Sequence, residues 1–279
     1  MAFRINQNVA AFNAYRNLES TGTSLSKSLE KMSSGFRINR ASDDAAGLVK
    51  SESLRAEIGG TQQAMQNAQD GISFVQTAEG ALNEVHSILQ RMRDLAVSAS
   101  NTATTDGTAQ QAEITELTNE LNAIGTRTKF AGNAIFSDYS ATGASLTFQV
   151  GAGSGDTLGI SSDLGLKADG SSGIFTGDLT AIDVTSAAST AISTIDTAIS
   201  DVSTARATLG ATQNRMEHTI ANLSVAVENL SASESRIRDT DMAYEMVNFT
   251  RNQIMSQAGT AMLAQANQVP QSVLQLLRG

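Results

Sequence analysis

The sequence offers little material for a catalytic or metal-binding site. Its 279 residues include two histidines, His86 and His218, and no cysteine. A histidine can act as a general base or bind a metal, but no H-E-x-x-H motif is present. We therefore expect each histidine to lie on the surface or at the edge of a helical seam. The lack of cysteine excludes disulfide bonds and thiolate metal sites.

Two polar segments could bind small ligands. Asp239 and Asp241 could hold a cation, but they lack the calcium-loop pattern, and helix capping is the simpler interpretation. The glycine-rich residues Gly151 to Gly155 could cradle a phosphate, but no Lys-Ser/Thr pair follows them. We expect a hairpin turn there. A catalytic or binding module could be housed only in residues 137–186, which carry few titratable groups. The sequence thus predicts no enzyme and no cofactor.

Composition excludes several other classes of protein. The net charge of −9 argues against non-specific nucleic-acid binding. No apolar run approaches the eighteen residues that a membrane span needs. Residues 1–8 lack the apolar region of a standard secretory signal, so an extracellular protein of this kind would need another export route. The single proline, Pro270, favours long uninterrupted helices.

The longest pattern in the chain is a heptad seam from Ile192 to Ile237. A 3-4 spacing of this kind winds helices around one another. The polar positions Arg206, Gln213 and Glu234 either set the register of the seam or lie at its exposed edge. The seam consists of Ile192, Ile195, Ile199, Val202, Arg206, Leu209, Gln213, Met216, Ile220, Leu223, Val227, Leu230, Glu234 and Ile237.

Two other segments could pack against this seam. Ser42 predicts the cap of a helix from Asp43 to about Ser100, and a shorter helix is predicted from Thr108 to Arg127. Together the three helices would close a bundle. The predicted fold is mainly α, a long coiled-coil bundle. The seam of the first partner is Ile58, Met65, Ile72, Val75, Ala78, Leu82, Val85, Leu89, Met92, Ala96 and Ala99; that of the second is Ile114, Leu117, Leu121 and Ile124.

Amphipathic helices are also predicted at both ends, over residues 3–34 and after the Asp239–Asp241 cap, with Pro270 disturbing the second. Their apolar stripes would be exposed in a lone chain. Such stripes usually mark an interface, so we expect them to order on assembly. The interface residues would be Ile5, Val9, Phe12, Leu18, Leu25, Leu29, Met32, Val247, Ile254, Met262, Val269, Leu274 and Leu277.

The helical period is lost between about Lys129 and Ala187, where Gly, Ser, Thr and Asp dominate. Residues 146–150 and 157–160 predict a β-hairpin that projects from the bundle or lies on its flank. Residues 161–186 would add a small surface excursion.

Several motifs, in order, resemble those of bacterial flagellins. The resemblance covers roughly the first 136 and the last 95 residues, and the lone proline also falls where the family has one. The motifs are residues 33–47 (SSGFRINRASDDAAG), 67–72 (NAQDGI), 77–82 (TAEGAL), 89–97 (LQRMRDLAV), 209–215 (LGATQNR), 235–241 (SRIRDTD) and 264–271 (AQANQVPQ).

The resemblance implies a short flagellin without large outer domains. Residues 1–41 and 239–279 would form the inner coiled-coil layer of a hollow filament. Residues 42–136 and 187–238 would form the helical bundle around it, with 137–186 as a hairpin and small surface segment. Family membership also implies export through the flagellar secretion channel and assembly into an extracellular filament for swimming. The expected partners are other copies of the chain, an export chaperone, and cap and junction proteins.

Two alternatives stay open at this stage. Arg91, Leu95, Glu113 and Arg215 match a patch that an innate immune receptor recognises in many flagellins, although Leu117 replaces a basic residue of well-recognised members. These residues could equally be solvated bundle residues and inter-subunit contacts. The chain could also be a hook–filament junction protein, although the unbroken match at both ends favours a filament subunit.

Overall fold

The computed structural model describes residues 8–101, 107–136, 146–160, 164–168 and 173–276, with side chains described as far as residue 268. Within them it contains five helices and four short strands, which confirms the predicted mainly α fold. The chain divides into two compact units. The terminal unit comprises Met1–Ala56 and Asn229–Gly279, and the central unit comprises Glu57–Glu228.

The helix bounds agree closely with the periodicity. The helices are α1 (Val9–Ser34), α2 (Ala45–Ala99), α3 (Thr108–Arg127), α4 (Ala188–Arg238) and α5 (Met242–Leu276). The strands are β1 (Lys129–Phe130), β2 (Asn133–Ala134), β3 (Leu146–Gln149) and β4 (Thr157–Ile160). The 51 residues of α4 correspond to a rod of about 75 Å, because each helical residue rises about 1.5 Å.

In the central unit, α2, α3 and α4 pack around one hydrophobic core. Leu82 and Leu89 of α2, Leu121 of α3, and Ile195 and Val202 of α4 have no accessible surface. Burying each such side chain stabilises the fold by about 1.5–3 kcal/mol. The prediction that α2 and α3 cover the heptad seam is therefore confirmed for this part of α4.

The predicted seam is wrong in the first half of α2. Ile58, Met65 and Ile72 are only half-buried. The inward residues are small ones, because the neighbouring groups come very close to the helix: a Cβ at Gly71 would lie 2.7 Å from Cε of Met216. The buried positions of this part of α2 are Thr61, Ala64, Ala68 and Gly71.

The expected surface excursion at 161–186 is also wrong where the structure describes it. A Cβ at Gly125 of α3 would lie 2.6 Å from the carbonyl oxygen of Leu166, so this segment presses directly on the helix. Gln111 of α3 donates to the carbonyl of Ile182 and accepts from the amide of Val184, at 2.8 and 2.9 Å. The side chains this segment adds to the core are Leu164, Leu166, Ala168, Ile174, Phe175, Leu179, Ile182 and Val184.

The predicted hairpin is present as the antiparallel pair β3–β4, with Leu146 opposite Ile160 and Gln149 opposite Thr157. It lies on the flank of α2: Asn67 donates to the carbonyl of Gln149 at 3.0 Å. Its glycine-rich turn is closed by Asp156, which accepts from the amide of Gly153 at 3.0 Å. The turn is therefore structural, as expected.

A second hairpin, β1–β2, was not predicted. Its two-residue turn places Ala131 at φ 50° and Gly132 at φ 90°, and both positive values suit the tight turn of a hairpin. Phe130 packs edge-on against Phe74 of α2, with ring centroids 5.7 Å apart. Strands of two residues are too short to produce a detectable alternation.

In the terminal unit, α1 packs against α5. The side chain of Asn8 caps α1 by accepting from the amide of Ala11 at 3.1 Å, and Gly35 ends it in the left-handed conformation. The predicted cap of α2 is wrong: Asp44, not Ser42, accepts from the amide of Gly47 at 2.9 Å.

Asp43, next to this cap, holds the connector before α2. Its carboxylate accepts from the amides of Arg40 and Asn39 at 3.1 and 3.2 Å. The hydrogen bond from the Arg40 amide is the main reason that the pKa of Asp43 lies below its ordinary value. The ionised carboxylate therefore belongs to the folded geometry of the connector.

The predicted disturbance at Pro270 is not found, because α5 continues to Leu276. Proline has no N–H, so the carbonyl of Ala266 lacks its usual partner four residues on. Nδ2 of Asn8 donates to that carbonyl at 2.8 Å. The start of α1 thus supplies the hydrogen bond that Pro270 removes from α5.

Candidate assembly interface

The least exposed positions of α1 and α5 form two matching 3-4 seams with many small residues. The pair is close enough that a Cβ at Gly259 would lie 3.2 Å from Cδ1 of Leu18. Small residues allow this approach. The seam positions are Ala11, Ala14, Leu18, Thr21, Leu25, Ser28 and Met32 on α1, and Glu245, Phe249, Asn252, Ser256, Gly259, Leu263 and Ala266 on α5.

Many other large apolar side chains of the pair lie outside this seam and are exposed. We call them the outer apolar face: Val9, Phe12, Tyr15 and Leu29 of α1, and Met242, Met246, Val247, Ile254, Met255 and Met262 of α5. Phe12 is 68 % exposed, Met262 64 % and Ile254 61 %. A cluster of this kind on a folded protein usually marks an interaction site.

On α5 this face extends around much of the helix. Ile254 lies nearly opposite the seam, whereas Met246 and Met262 lie on its two flanks, as their positions in the heptad require. Around Arg251 and Thr250, the side chains of Met246, Val247, Ile254 and Met255 line a shallow apolar groove. The exposed apolar side chains of α5 therefore lie on more than one side of the helix.

The residues predicted for the interface fall on both surfaces. Val9, Phe12, Leu29, Val247, Ile254 and Met262 lie on the outer apolar face, whereas Leu18, Leu25 and Met32 are half-buried in the seam. Ile5 and Leu277 lie outside the described residues, as do the side chains of Val269 and Leu274. Tyr15, Met246 and Met255 were missed, although their apolar character was a usable signal.

The connectors that follow α1 and α4 pair with each other, which the sequence did not predict. The amide of Arg37 donates to the carbonyl of Arg238 at 2.6 Å, and the amide of Thr240 donates to the carbonyl of Gly35 at 2.9 Å. Between them, Phe36 and Asp239 form an antiparallel bridge. This pairing fixes where α1 and α5 begin their contact.

Arg238 reinforces the same junction. Its guanidinium lies 4.8 Å from the centroid of the Phe36 ring and 2.9 Å from a carboxylate oxygen of Glu52. A cation over an aromatic ring is attracted by the ring quadrupole. Arg238 thus ties the end of α4 to both the α1 connector and the start of α2.

The three polar seam positions of α4 have different environments. Glu234 accepts from the fully buried hydroxyl of Ser51 on α2 at 3.1 Å, and Arg206 lies 3.6 Å from Glu79 of α2. Gln213 donates within its own helix to Glu217 at 3.0 Å. Arg206 and Glu234 therefore fit the expected role in setting helix register, whereas Gln213 fits an exposed edge.

The structure brings together part of the possible receptor patch. Arg91 of α2 and Glu113 of α3 form an ion pair at 2.7 Å on the surface. Leu95 is buried at 7 % exposure, and Arg215 is exposed on α4. This ion pair also links two helices of the bundle. Its presence is therefore explained by the fold of the bundle, without a receptor.

The candidate catalytic and cation-binding residues either make contacts within the fold or lie exposed on the surface. His86 is half-buried, with Nε2 2.9 Å from Nε2 of Gln90, and His218 is exposed. Asp241 caps α5 by accepting from the amides of Ala243 and Tyr244. Asp239 accepts from the hydroxyl of Ser235 at 2.6 Å and is not a cap.

No group of three or more His, Cys, Asp and Glu side chains among the described residues could hold a metal ion. Nor does any helix in that part of the chain combine the length and hydropathy that crossing a membrane requires.

Comparison with known proteins identifies the chain. Residues 5–141 match the bacterial flagellin N-terminal helical region and residues 192–277 the C-terminal helical region. Flagellin of Bacillus subtilis is 49 % identical over 99 % of this chain and 100 % of its own length. Flagellin of Halalkalibacterium halodurans is 52 % identical over 98 % of this chain and 99 % of its own length.

A solved structure supports the fold alone. A Vibrio parahaemolyticus protein described as flagellar hook-associated superposes with a TM-score of 0.53, covering 71 % of this chain and 100 % of its own. Their sequences are 17 % identical, so the likeness extends to architecture and not to function.

Proposed function

The chain belongs to the bacterial flagellin family, and from this premise we propose that its terminal unit provides the contacts that hold the filament together. As a flagellin it is the structural, non-enzymatic subunit of the extracellular filament of the bacterial flagellum. The outer apolar face supports the proposal, because it leaves many large apolar side chains of α1 and α5 in water in a lone chain.

The assembly would be driven by burial of this face. Removing apolar surface from water contributes about 25 cal/mol per Å², and the face includes side chains as large as Phe12, Tyr15 and Met262. Head-to-tail association of unlike surfaces that does not close into a ring produces a helical polymer. A filament built in this way grows by adding copies of the same chain.

The two units would occupy different layers of that filament. We propose that residues 1–41 and 239–279 form the inner coiled-coil layer, and that residues 42–136, 137–186 and 187–238 form the layer around it. The exposed apolar side chains on more than one side of α5 support an inner position for this helix, since they become buried only if α5 has neighbours on several sides.

The named partners are part of the proposal and go beyond self-assembly. We expect an export chaperone to bind near the C-terminus, and cap and junction proteins to contact the filament ends. Recognition by an innate immune receptor would involve Arg91, Glu113 and Arg215, whereas Leu95, at 7 % exposure, offers little accessible surface. A role as a hook–filament junction protein is disfavoured, because full-length relatives at about half identity are flagellins.

Seeded polymerisation observed by electron microscopy tests the proposed function. Purified chain mixed with short filament seeds should elongate them. A chain lacking residues 240–279 should leave the seeds unchanged, while circular dichroism reports that the central unit is still helical. Failure of the complete chain to elongate seeds at high concentration would overturn the proposal.

A further inference from the structure

The outer apolar face is unusually rich in methionine. Four of the nine methionines of the chain lie in α5, and all four side chains are exposed. Met242, Met246, Met255 and Met262 are 44 %, 47 %, 51 % and 64 % exposed. By contrast, Met92 and Met216, in the core of the central unit, have no accessible surface.

An exposed thioether is open to oxidation. Methionine sulfoxide formation follows accessibility of the sulfur, and it converts a flexible apolar side chain into a polar, chiral one. We propose that Met242, Met246, Met255 and Met262 form an oxidation-sensitive surface, and that their conversion to sulfoxides by a peroxide prevents the chain from entering the filament.

The reaction transfers one oxygen atom to each sulfur. The sulfur lone pair attacks one oxygen of hydrogen peroxide, the O–O bond breaks, and the other oxygen leaves as water after a proton shift. Each sulfur loses two electrons and the peroxide gains them. A methionine sulfoxide reductase, with a thiol as reductant, returns the thioether.

The effect on assembly rests on the proposed function, because it requires the outer apolar face to become buried between copies. A sulfoxide oxygen buried without a hydrogen-bond donor is unfavourable. The described part of the face offers little to pair with it: among the side chains that line the α5 groove, only Arg251 and Thr250 are polar. Burial in the filament would in turn shield the same sulfurs from peroxide.

Peptide mapping by mass spectrometry tests the accessibility first. The unassembled full-length chain and preformed filaments are treated with the same concentration of hydrogen peroxide. In the unassembled chain, the four α5 methionines should oxidise about tenfold or more faster than Met92 and Met216. In filaments their oxidation should slow by a similar factor. Equal rates at these four positions in chain and filament would overturn the proposal.

Seeded elongation then tests the consequence. Untreated chain elongates seeds if the proposed function is right, and its failure to do so refutes that function independently of oxidation. Peroxide-treated chain should fail to elongate, and treatment with methionine sulfoxide reductases should restore elongation. Elongation by fully oxidised chain at the parental rate would overturn the present proposal alone.

Two sets of substitutions identify the responsible sulfurs. The quadruple variant M242L/M246L/M255L/M262L should elongate seeds at the same rate before and after peroxide treatment, whatever its untreated rate, because leucine cannot be oxidised in this way. The matched control M92L/M216L keeps the four exposed thioethers and should be as sensitive as the parent. If the quadruple variant does not assemble even untreated, the four triple Met→Leu variants, each of which keeps one of these methionines, take its place. Sensitivity equal to that of the parent in all four would contradict the proposal.

Discussion

The two units of this chain differ in where their large apolar side chains lie. Those of the central unit are mostly buried in its core, whereas many of those in the terminal unit are exposed. In the central unit, Leu89 and Val202 are completely buried between helices. In the terminal unit, the contact between α1 and α5 includes many small residues, such as Ser28 and Gly259, while Phe12 and Ile254 face solvent.

This contrast separates folding from assembly within one sequence. A unit with large residues inside is stabilised by its own core. A helix pair with many small residues in its contact and large apolar ones exposed gains less from that contact, and isolated helices depend on tertiary packing. The terminal unit is therefore built to be completed by other copies of the chain.

Matched truncations in the two units should have the largest difference in effect. Leu89→Ala removes fully buried methyl groups and should lower the free energy of unfolding of the unassembled chain by about 2–5 kcal/mol. Ile254→Ala, at an exposed position, should change it by less than about 0.5 kcal/mol. Urea denaturation followed by circular dichroism measures both values, and comparable losses would contradict the contrast.

A pair of glycine substitutions should refine the boundary of the central core. Gly125→Ala should lower the free energy of unfolding by about 1–3 kcal/mol, because the added methyl meets the backbone of the 164–168 segment. Gly80→Ala, where nothing lies within 4 Å, should raise it by about 0.5–1 kcal/mol through helix propensity. The same urea titration applies. Stabilisation by Gly125→Ala would mean that the segment does not pack on α3.

In the terminal unit, the link between Asn8 and the helix around Pro270 should be smaller but measurable. Asn8→Ala should lower the free energy of unfolding by about 1 kcal/mol, because the carbonyl of Ala266 loses its donor. In a Pro270→Ala background, the amide of residue 270 can donate to the carbonyl of Ala266. The loss of the Asn8 hydrogen bond should then cost little free energy of unfolding. A double-mutant cycle measures the difference; strict additivity would exclude the coupling.

Acid should weaken both units through depressed carboxyl groups, with the smallest effects. Hydrogen bonds from Ser186 and Thr185 lower the pKa of Asp183 in the central unit to about 2. The folded pKa lies below the unfolded value of about 4, so this stabilisation is present above pH 4 and is lost as the pH falls toward 2. Asp183→Asn should reduce the dependence of stability on pH in that window.

The corresponding change in the terminal unit is Asp43→Asn, since hydrogen bonding to the Arg40 amide also lowers the pKa of Asp43. Thermal unfolding at several pH values and one constant salt concentration measures the stability of both variants. Parental pH dependence in Asp183→Asn would show that this carboxyl does not contribute.

The regular helices were predictable because a long periodic pattern determines both which face of a helix is buried and how long the helix is. The α4 heptad from Ile192 to Leu209 and the seam of α2 beyond Val75 lie in the core, as read from the sequence. Prediction failed where small residues point inward, as at Ala64 and Gly71, because hydrophobicity does not identify a buried alanine or glycine.

Irregular packing and the terminal faces were harder for a related reason. Leu166 and Phe175 join the core from a segment without periodicity, so only contacts distant in sequence determine their burial. In α1, Phe12 and Leu18 were placed on one stripe, although one faces solvent and the other faces α5. An apolar pattern indicates that a surface will be buried, but it does not distinguish burial within the chain from burial between copies.

Seeded elongation of the V247D/I254D variant tests the central claim most directly. Both residues are more than half exposed, at 57 % and 61 %, so the unassembled variant should keep its helicity and its free energy of unfolding. Buried unpaired carboxylates are strongly unfavourable, so the account predicts no elongation of seeds at concentrations where the parent chain elongates them. Elongation at the parental rate would show that the outer apolar face is not the surface that holds the filament together.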